Sequence, residues 1–347
     1  MEVPSIFLNR LLAEMAKRGA SSLHLSVGAP PVARVADKLT PLENESILSA
    51  DILTKIVESF IEEDEVKRLK EEKEIAIIKI FGGDFRFLVN IFYQKDLLSL
   101  SFNYIANNLR RLDDLSLPVQ LKEKINLNSG LLIVAGPNDS GKTSTAAAII
   151  EEINKNEKKY IITLENPIEY LFVNKKSIIE QRQIGRDVVS LATGLRHCLE
   201  EDVDLIYVGE VKREFEEAVP LILQLAAGNS LVILEINADN AVRVVEKILD
   251  AGKAKSSSEA TRYILADVLI GVIAQKLIPR LGGGMALANE VLTVNSAVKS
   301  LIREGKIYQI ESIIQTSRQD GMIGMEKSIE DLLKKGDIQA TEVQKIN

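Results

Sequence analysis

One cysteine, two histidines and no tryptophan in 347 residues define what this chain does without. Cys198 alone cannot close an internal disulfide, and one thiol is too few for a thiolate metal cage, so the usage fits a reducing, cytosolic compartment. His24 and His197 lie far apart in sequence, which excludes the histidine-spaced zinc motifs. Aromatic residues make up 5% of the chain, too few for a base-stacking platform. Lysine and arginine total 43 against 50 aspartates and glutamates, giving a formal charge of −7 and a pI near 5.3. That balance argues against a general polyanion-binding surface and leaves room only for a local basic groove. Long apolar runs are missing too: ILADVLIGVIAQKLI from Ile264 is broken by Asp267, Gln275 and Lys276 before the roughly 20 residues of a membrane span. The opening MEVPSIFLNRLLAEM lacks a basic leader, a long apolar core and a small-residue cleavage site. The expectation is a soluble chain, mature as written.

What is present is ample for a core. Hydrophobic residues are 46% of a length that suits about two domains. The spacing of Ile6, Leu8, Leu11, Leu12 and Met15 predicts a helix over 5–18, ended by Gly19. SLHLSVGAPPVARV alternates around a glycine and a Pro-Pro, predicting strand, turn, strand, and IAIIKIF, FRFLVNIFY and LLSLSFNYI predict three more. Between them EEDEVKRLKEEKE, from Glu62, reads as a solvated helix face with i,i+4 ion pairs. The first hundred residues are therefore expected as a small α+β domain. NNLRRLDDLSLPVQL, charged and proline-bearing, is expected as a linker. Beyond it LLIVAG, YIITLE, LIYVGE and LVILEI alternate with helical patterns, which predicts an α/β fold with a mostly parallel sheet. SIEDLLKKGDI predicts a last helix.

Gly136-Pro137-Asn138-Asp139-Ser140-Gly141-Lys142-Thr143 fits G-x-x-x-x-G-K-[ST]. A glycine-bearing loop lets successive backbone N–H groups turn toward phosphates, Lys142 reaches the β and γ phosphates, and the Thr143 hydroxyl holds Mg²⁺. LLIVAG runs straight into the loop and STAAAIIEEI leaves it as a helix, whose N-terminus favours an anion. An ordinary strand–turn–helix is the alternative. DLIYVGE ends at Glu210, an acid at a strand end where parallel sheets place their ligands. IITLE ends at Glu165, a candidate for orienting an attacking water, with surface pairing of Glu165 and Glu169 as the alternative. His24 is expected as a structural residue in an alternating strand, and Cys198 as core.

These segments together resemble the type II/IV secretion ATPase superfamily, and most closely the type IV pilus retraction (twitching-motility) ATPases. GASSLHLSVGAPPVARV is similar to that family's N-terminal signature, FRFLVNIF to its strand leading to the linker, ITLENPIEY to its aspartate box and DVDLIYVGE to its Walker B. AQKLIPR with NEVL resembles the segment after the motor core, and AVKSLIREGKIYQIESIIQT the C-terminal element of the retraction branch. The resemblance implies a PAS-like domain over 1–108, a linker over 109–122 and a RecA-like motor domain over 123–347. It further implies a hexameric ring, ATP and Mg²⁺ between the two domains, an inner-membrane platform partner and a cytoplasmic place at that membrane. Carried over, Gly136 to Thr143 with Ser144 bind nucleotide, Thr143 and Glu210 hold the metal, and Lys142, Glu165 and Glu210 serve catalysis.

The chain departs from the family pattern at several positions. Asp139 replaces a glycine in the loop, a residue that tolerates a left-handed backbone. Asn166 and Phe172 replace an aspartate and a histidine of the aspartate box, and Glu235 and Asn237 stand where the histidine box has Thr and His. Leu88 and Asn103 replace two arginines expected to reach the γ-phosphate, a class of contact worth about 10³–10⁵ in rate in related systems. Two functions therefore stay open: a retraction motor that hydrolyses ATP, and a nucleotide-binding accessory subunit that works through a paralogous retraction ATPase. A nucleic-acid translocase on the same core is disfavoured by the acidic balance and scarce aromatics.

Overall fold

The structure is a computed structural model and describes residues 3–35, 38–42, 45–83, 85–105, 109–211, 213–253 and 257–343. It divides into two compact units, Met1–Asn108 and Leu109–Asn347. The expected boundary at 108 falls on 106–108, outside the described residues.

The first unit begins with α1 (Pro4–Lys17), which Pro4 opens with its fixed φ. It buries Leu8, Leu11, Leu12 and Met15, whereas Ile6, expected on the same face, is 56% exposed. Gly19 at φ +62 ends the helix, with its N–H on Ala16 and that of Ala20 on Met15. There follow β1 (Ser22–Ser26), β2 (Val32–Val35), β3 (Lys38–Pro41), α2 (Ala50–Glu58), α3 (Glu63–Glu72), β4 (Glu74–Phe81), β5 (Phe85–Gln94) and β6 (Leu97–Ile105). The strands form one antiparallel sheet in the order β3-β2-β1-β6-β5-β4. β3 had no sequence signal, because KLTP is short, polar and at the sheet edge. Phe60, Phe81, Phe87 and Phe102 pack edge to face under the sheet, their ring centres 5.5–6.4 Å apart. The charged face of α3 is not purely solvated: Arg68 pairs with Glu72 as expected, but Glu62 and Glu65 both hold Lys79 of β4, each at 2.9 Å.

The second unit starts at the segment expected to be a linker, and this reading is corrected. Leu112, Leu115, Leu117 and Leu121 are buried in its core, through a short turn at 112–115 and α4 (Val119–Ile125). Asn289 donates to the Leu115 carbonyl at 2.9 Å and locks the turn in place. Of the charges that suggest a linker, Asp113 stays on the outside, paired at 2.8 Å with Lys122 of α4. The chain continues through β7 (Gly130–Ala135), α5 (Lys142–Asn156), β8 (Tyr160–Glu165), β9 (Ile178–Gln183), α6 (Leu191–Glu200), β10 (Leu205–Val208), α7 (Phe215–Ala227) and β11 (Leu231–Ile236). It closes with α8 (Ala241–Gly252), α9 (Ser258–Val268), β12 (Leu269–Pro279), β13 (Met285–Thr293), α10 (Ser296–Glu304), α11 (Ile310–Thr316), α12 (Met325–Lys334) and α13 (Ala340–Val343). The long apolar stretch from Ile264 is thus the end of a helix running directly into a strand, and no described helix is long and apolar enough to cross a membrane.

The sheet order is β13-β12-β7-β11-β10-β8-β9, parallel throughout except for β13. Every residue of β7 and β11 is buried, as both faces of the central strands are covered. β9 was not foreseen, since IIEQRQ is an edge strand of mostly polar residues. Because the strands are parallel, the chain leaves β12, β7, β11, β10 and β8 along one edge, and this edge carries the polar residues described next.

If 109–122 belongs to the core, Leu121→Ala should destabilise the full chain by about 2–5 kcal/mol in chemical denaturation. A cost below about 0.5 kcal/mol would return the segment to a linker role.

Candidate functional site

Residues 136–141 form the turn between β7 and α5. Gly136 has φ +156, and a Cβ there would meet Ser140 Oγ at 2.3 Å and the Gln275 carbonyl at 2.5 Å, so only glycine fits. Asp139 adopts φ +60, the left-handed state expected of it, and is exposed. Gly141 at φ +84 caps the start of α5. Gln275, on β12, donates to the Ser140 carbonyl at 2.7 Å and fixes the far side of the loop, while the buried Ser140 Oγ has no hydrogen-bond partner. Asn237 donates to Asn138 Oδ1 at 3.0 Å and accepts from Lys247 on its carbonyl, tying the end of β11 to the loop tip.

Lys142 is 5% exposed, and its Nζ donates to the carbonyls of Gly136 (3.1 Å) and Pro137 (2.8 Å). Glu210, two residues past β10, meets the same ammonium at 3.0 Å. Thr143 donates to Glu235 Oε2 at 3.3 Å, and Ser144 shares a hydrogen bond of 2.7 Å with the Tyr170 hydroxyl. Glu165, the last residue of β8, is 3% exposed and therefore not a surface acid. It accepts from Thr163 Oγ1 at 2.6 Å and from Gln181 Nε2 at 3.4 Å. Gln181 also donates to the Tyr170 carbonyl and accepts from the Phe172 N–H. Phe172, where the family pattern has a histidine, packs half-buried against the core.

The structure thus brings Lys142 and Glu210 into contact, and it sets Thr143 against Glu235 rather than against Glu210. Glu235, Gln275, Tyr207, Gln181 and Tyr170 carry contacts that the sequence reading did not assign to the site. For Glu235, Gln275 and Tyr207 the signal is a polar side chain within an apolar strand, as in LVILEI and VIAQK, whereas Gln181 in a polar edge strand and Tyr170 in the loop after β8 carry none. Leu88 and Asn103 are cross-strand neighbours on β5 and β6 of the first unit. His24 shares a 3.0 Å hydrogen bond with Ser22, and burial together with the Arg34 charge lowers its pKa. Burial pushes the Cys198 thiol up to about 12, which keeps it inert core.

Burial also governs the two acids. Desolvation raises the Glu165 carboxyl from 4.5 to about 7 with a contribution from the Glu169 charge, against the opposing hydrogen bonds from Thr163 and Gln181. Desolvation raises Glu235 to about 8, although the Tyr207 hydroxyl donates to it at 2.5 Å and Lys142 favours its charged form. A carboxyl poised near neutrality at a sheet edge can take a proton from a water molecule. The glycine cradle, the buried ammonium and the hydroxyl of Thr143 suit a polyphosphate and a divalent cation. Among the described residues no three acid, histidine or cysteine side chains converge, so such a cation would draw the rest of its shell from phosphate and water.

The family described as type II/IV secretion system protein matches residues 107–287. The type IV pilus retraction ATPase PilT of Pseudomonas aeruginosa is 32% identical over 95% of this chain and 94% of its own length. The twitching motility protein of Neisseria gonorrhoeae is 33% identical over 83% of this chain and 77% of its own. Among solved structures, the pilus retraction motor PilT with bound ADP superposes with a TM-score of 0.82 at 33% identity, covering 98% of this chain and 96% of that one.

Because burial keeps Glu165 and Glu235 protonated in the folded state at pH values where the unfolded chain has lost those protons, the folded state binds more protons between about 4.5 and about 8. The nucleotide-free chain should therefore lose stability as pH rises through that window. Glu235→Gln should flatten the loss, as read by thermal melts against pH. An identical pH slope in the variant contradicts the assigned burial.

Proposed function

The chain belongs to the type II/IV secretion system protein family, and from that premise we propose that it is an ATPase that hydrolyses ATP to drive type IV pilus retraction. What supports the reading is the placement of Lys142 and Thr143 at the start of the helix after β7, Glu210 two residues past β10 and the near-neutral Glu165 at the end of β8, along one edge of the sheet. The likeness to PilT supports it over nearly the whole length of both chains.

In this reading the loop from Gly136 to Gly141 cradles the β phosphate with its N–H groups, and Ser144 keeps α5 anchored through Tyr170. Lys142 exchanges the carbonyls of Gly136 and Pro137 for phosphate oxygens. Mg²⁺, held through Thr143 with Glu210 near its water shell, would neutralise charge on the β and γ phosphates. Glu165 orients a water molecule and takes its proton as the water oxygen bonds to the γ phosphorus and the bond to ADP breaks. The two compact units correspond in this proposal to a PAS-like domain and a RecA-like motor domain. The working form is a homo-oligomer, a hexameric ring on the cytoplasmic face of the inner membrane, docked on a platform protein of the pilus machine and not on nucleic acid.

One observation favours a second reading. Leu88 and Asn103 lie side by side and neither carries a charge, so this chain lacks the pair of arginines that the retraction pattern places there. A subunit that binds nucleotide and acts through a paralogous retraction ATPase would tolerate that loss.

Steady-state Mg-ATP hydrolysis by the purified oligomer, with ATP affinity on the same samples, separates the two. The motor reading expects Lys142→Ala to lose both binding and turnover. It expects Glu165→Gln to bind ATP normally and turn over about 10²–10⁴-fold more slowly. Tight ATP binding with turnover no greater than that of Lys142→Ala selects the accessory subunit.

A further inference from the structure

The acid that faces the Thr143 hydroxyl is Glu235, although Glu210 was the one expected to share the metal with it. Glu235 sits on β11, the strand paired directly with β7, in register with Val134 two residues before the loop. It is 1% exposed. Each of its oxygens accepts one hydroxyl: Tyr207 reaches Oε1 at 2.5 Å and Thr143 reaches Oε2 at 3.3 Å. Tyr207 comes from β10 and is itself 2% exposed, so the carboxylate is gripped from a neighbouring strand and cannot swing away without leaving a buried phenol unpaired. Glu210 is engaged elsewhere, with Lys142 at 3.0 Å.

A threonine hydroxyl has one proton to give and two lone pairs to offer. When its proton is committed to Glu235, the lone pairs are left for a cation. This is the arrangement by which outer carboxylates orient the ligands of metal sites. We infer that Glu235 is a positioning residue of the divalent-cation site, holding the Thr143 hydroxyl so that its oxygen can take the metal that accompanies the nucleotide. The inference rests on the reading of residues 136–143 as a phosphate loop. It assigns a role to a residue that stands where the family pattern has threonine.

The geometry also says which variant is informative. In the ionised form, which a bound cation favours over the protonated acid of the empty site, Glu235 offers an acceptor to both hydroxyls, whereas a glutamine of nearly the same shape offers one acceptor oxygen and an amide donor. In Glu235→Gln one of the two hydroxyls must give up its present bond. Tyr207→Phe leaves the acid in place and removes the group that holds it.

The test uses the full chain, ADP and Mn²⁺, with the Mn²⁺ affinity of the ADP complex read by electron paramagnetic resonance and ADP affinity measured separately in chelator. The expected result for Glu235→Gln is metal-free ADP binding close to that of the unaltered chain and a Mn²⁺ affinity lower by about 10–100-fold. Tyr207→Phe should lower it in the same direction by about tenfold. Because the second variant keeps the acid, it decides the matter alone if the first does not fold. Mn²⁺ affinity unchanged in the folded variants overturns the inference while leaving the nucleotide site intact. Failure of the unaltered chain to bind ADP in chelator and with Mn²⁺ alike overturns the phosphate-loop reading beneath it.

Discussion

The site depends on five strands ending together. β12, β7, β11, β10 and β8 run parallel and adjacent, so the residues that follow each of them emerge along one edge of a sheet whose central strands are buried on both faces. Residues more than a hundred positions apart are brought into contact by that alignment alone. Gln275 from one side supports the carbonyl of Ser140, and from the other side Glu235, Glu210 and Glu165 extend the edge away from Lys142. A one-residue slip of any parallel pair would move these side chains to the opposite face of the sheet.

The same alignment creates an electrostatic problem. Glu165, Glu235 and Lys142 are buried and Glu210 is partly so, and an unpaired charge in such a place is costly. Each group is satisfied differently. Glu210, the most exposed of the three with 22% of its side chain accessible, pairs with Lys142. Glu165 relies on Thr163 and Gln181, and Glu235 on Tyr207 and Thr143. In the proposed function a nucleotide entering this edge would bring further negative charge, which a divalent cation would offset.

How much of this was legible in the sequence follows from where each signal resides. The turn at 136–141 is legible because the motif needs contiguous residues, and Gly136, Asp139 and Gly141 adopt the backbone that their identities allow. The strands β4 to β8, β10 and β11 were readable from unbroken or alternating apolar runs. The segment 109–122 reads as a linker because its charges are visible locally, while Leu112, Leu115 and Leu121 are buried in a cluster with residues of β7, α5, β12 and β13, which come later in the chain. β3 and β9 carry too few apolar residues to signal a strand, and only their pairing partners define them. Gln275 and Tyr207 are illegible for a related reason: a polar residue in an apolar strand announces that it needs a partner, not which one, and Gln181 is hidden among the polar residues of β9. Glu235 was noticed only as a departure, and the structure supplies the neighbour that makes sense of it.

In the proposed function this edge binds ATP through Lys142 and Thr143 with Glu165 poised beside the reacting phosphate, and the direct test is the structure of the full chain with Mg²⁺ and a non-hydrolysable ATP analogue. In that complex Lys142 should leave the Gly136 and Pro137 carbonyls for phosphate oxygens, Thr143 should contact the metal, and Glu165 should lie within one water of the γ phosphorus. Nucleotide bound away from residues 136–144, or Lys142 still held by those two carbonyls with the analogue present, would contradict it.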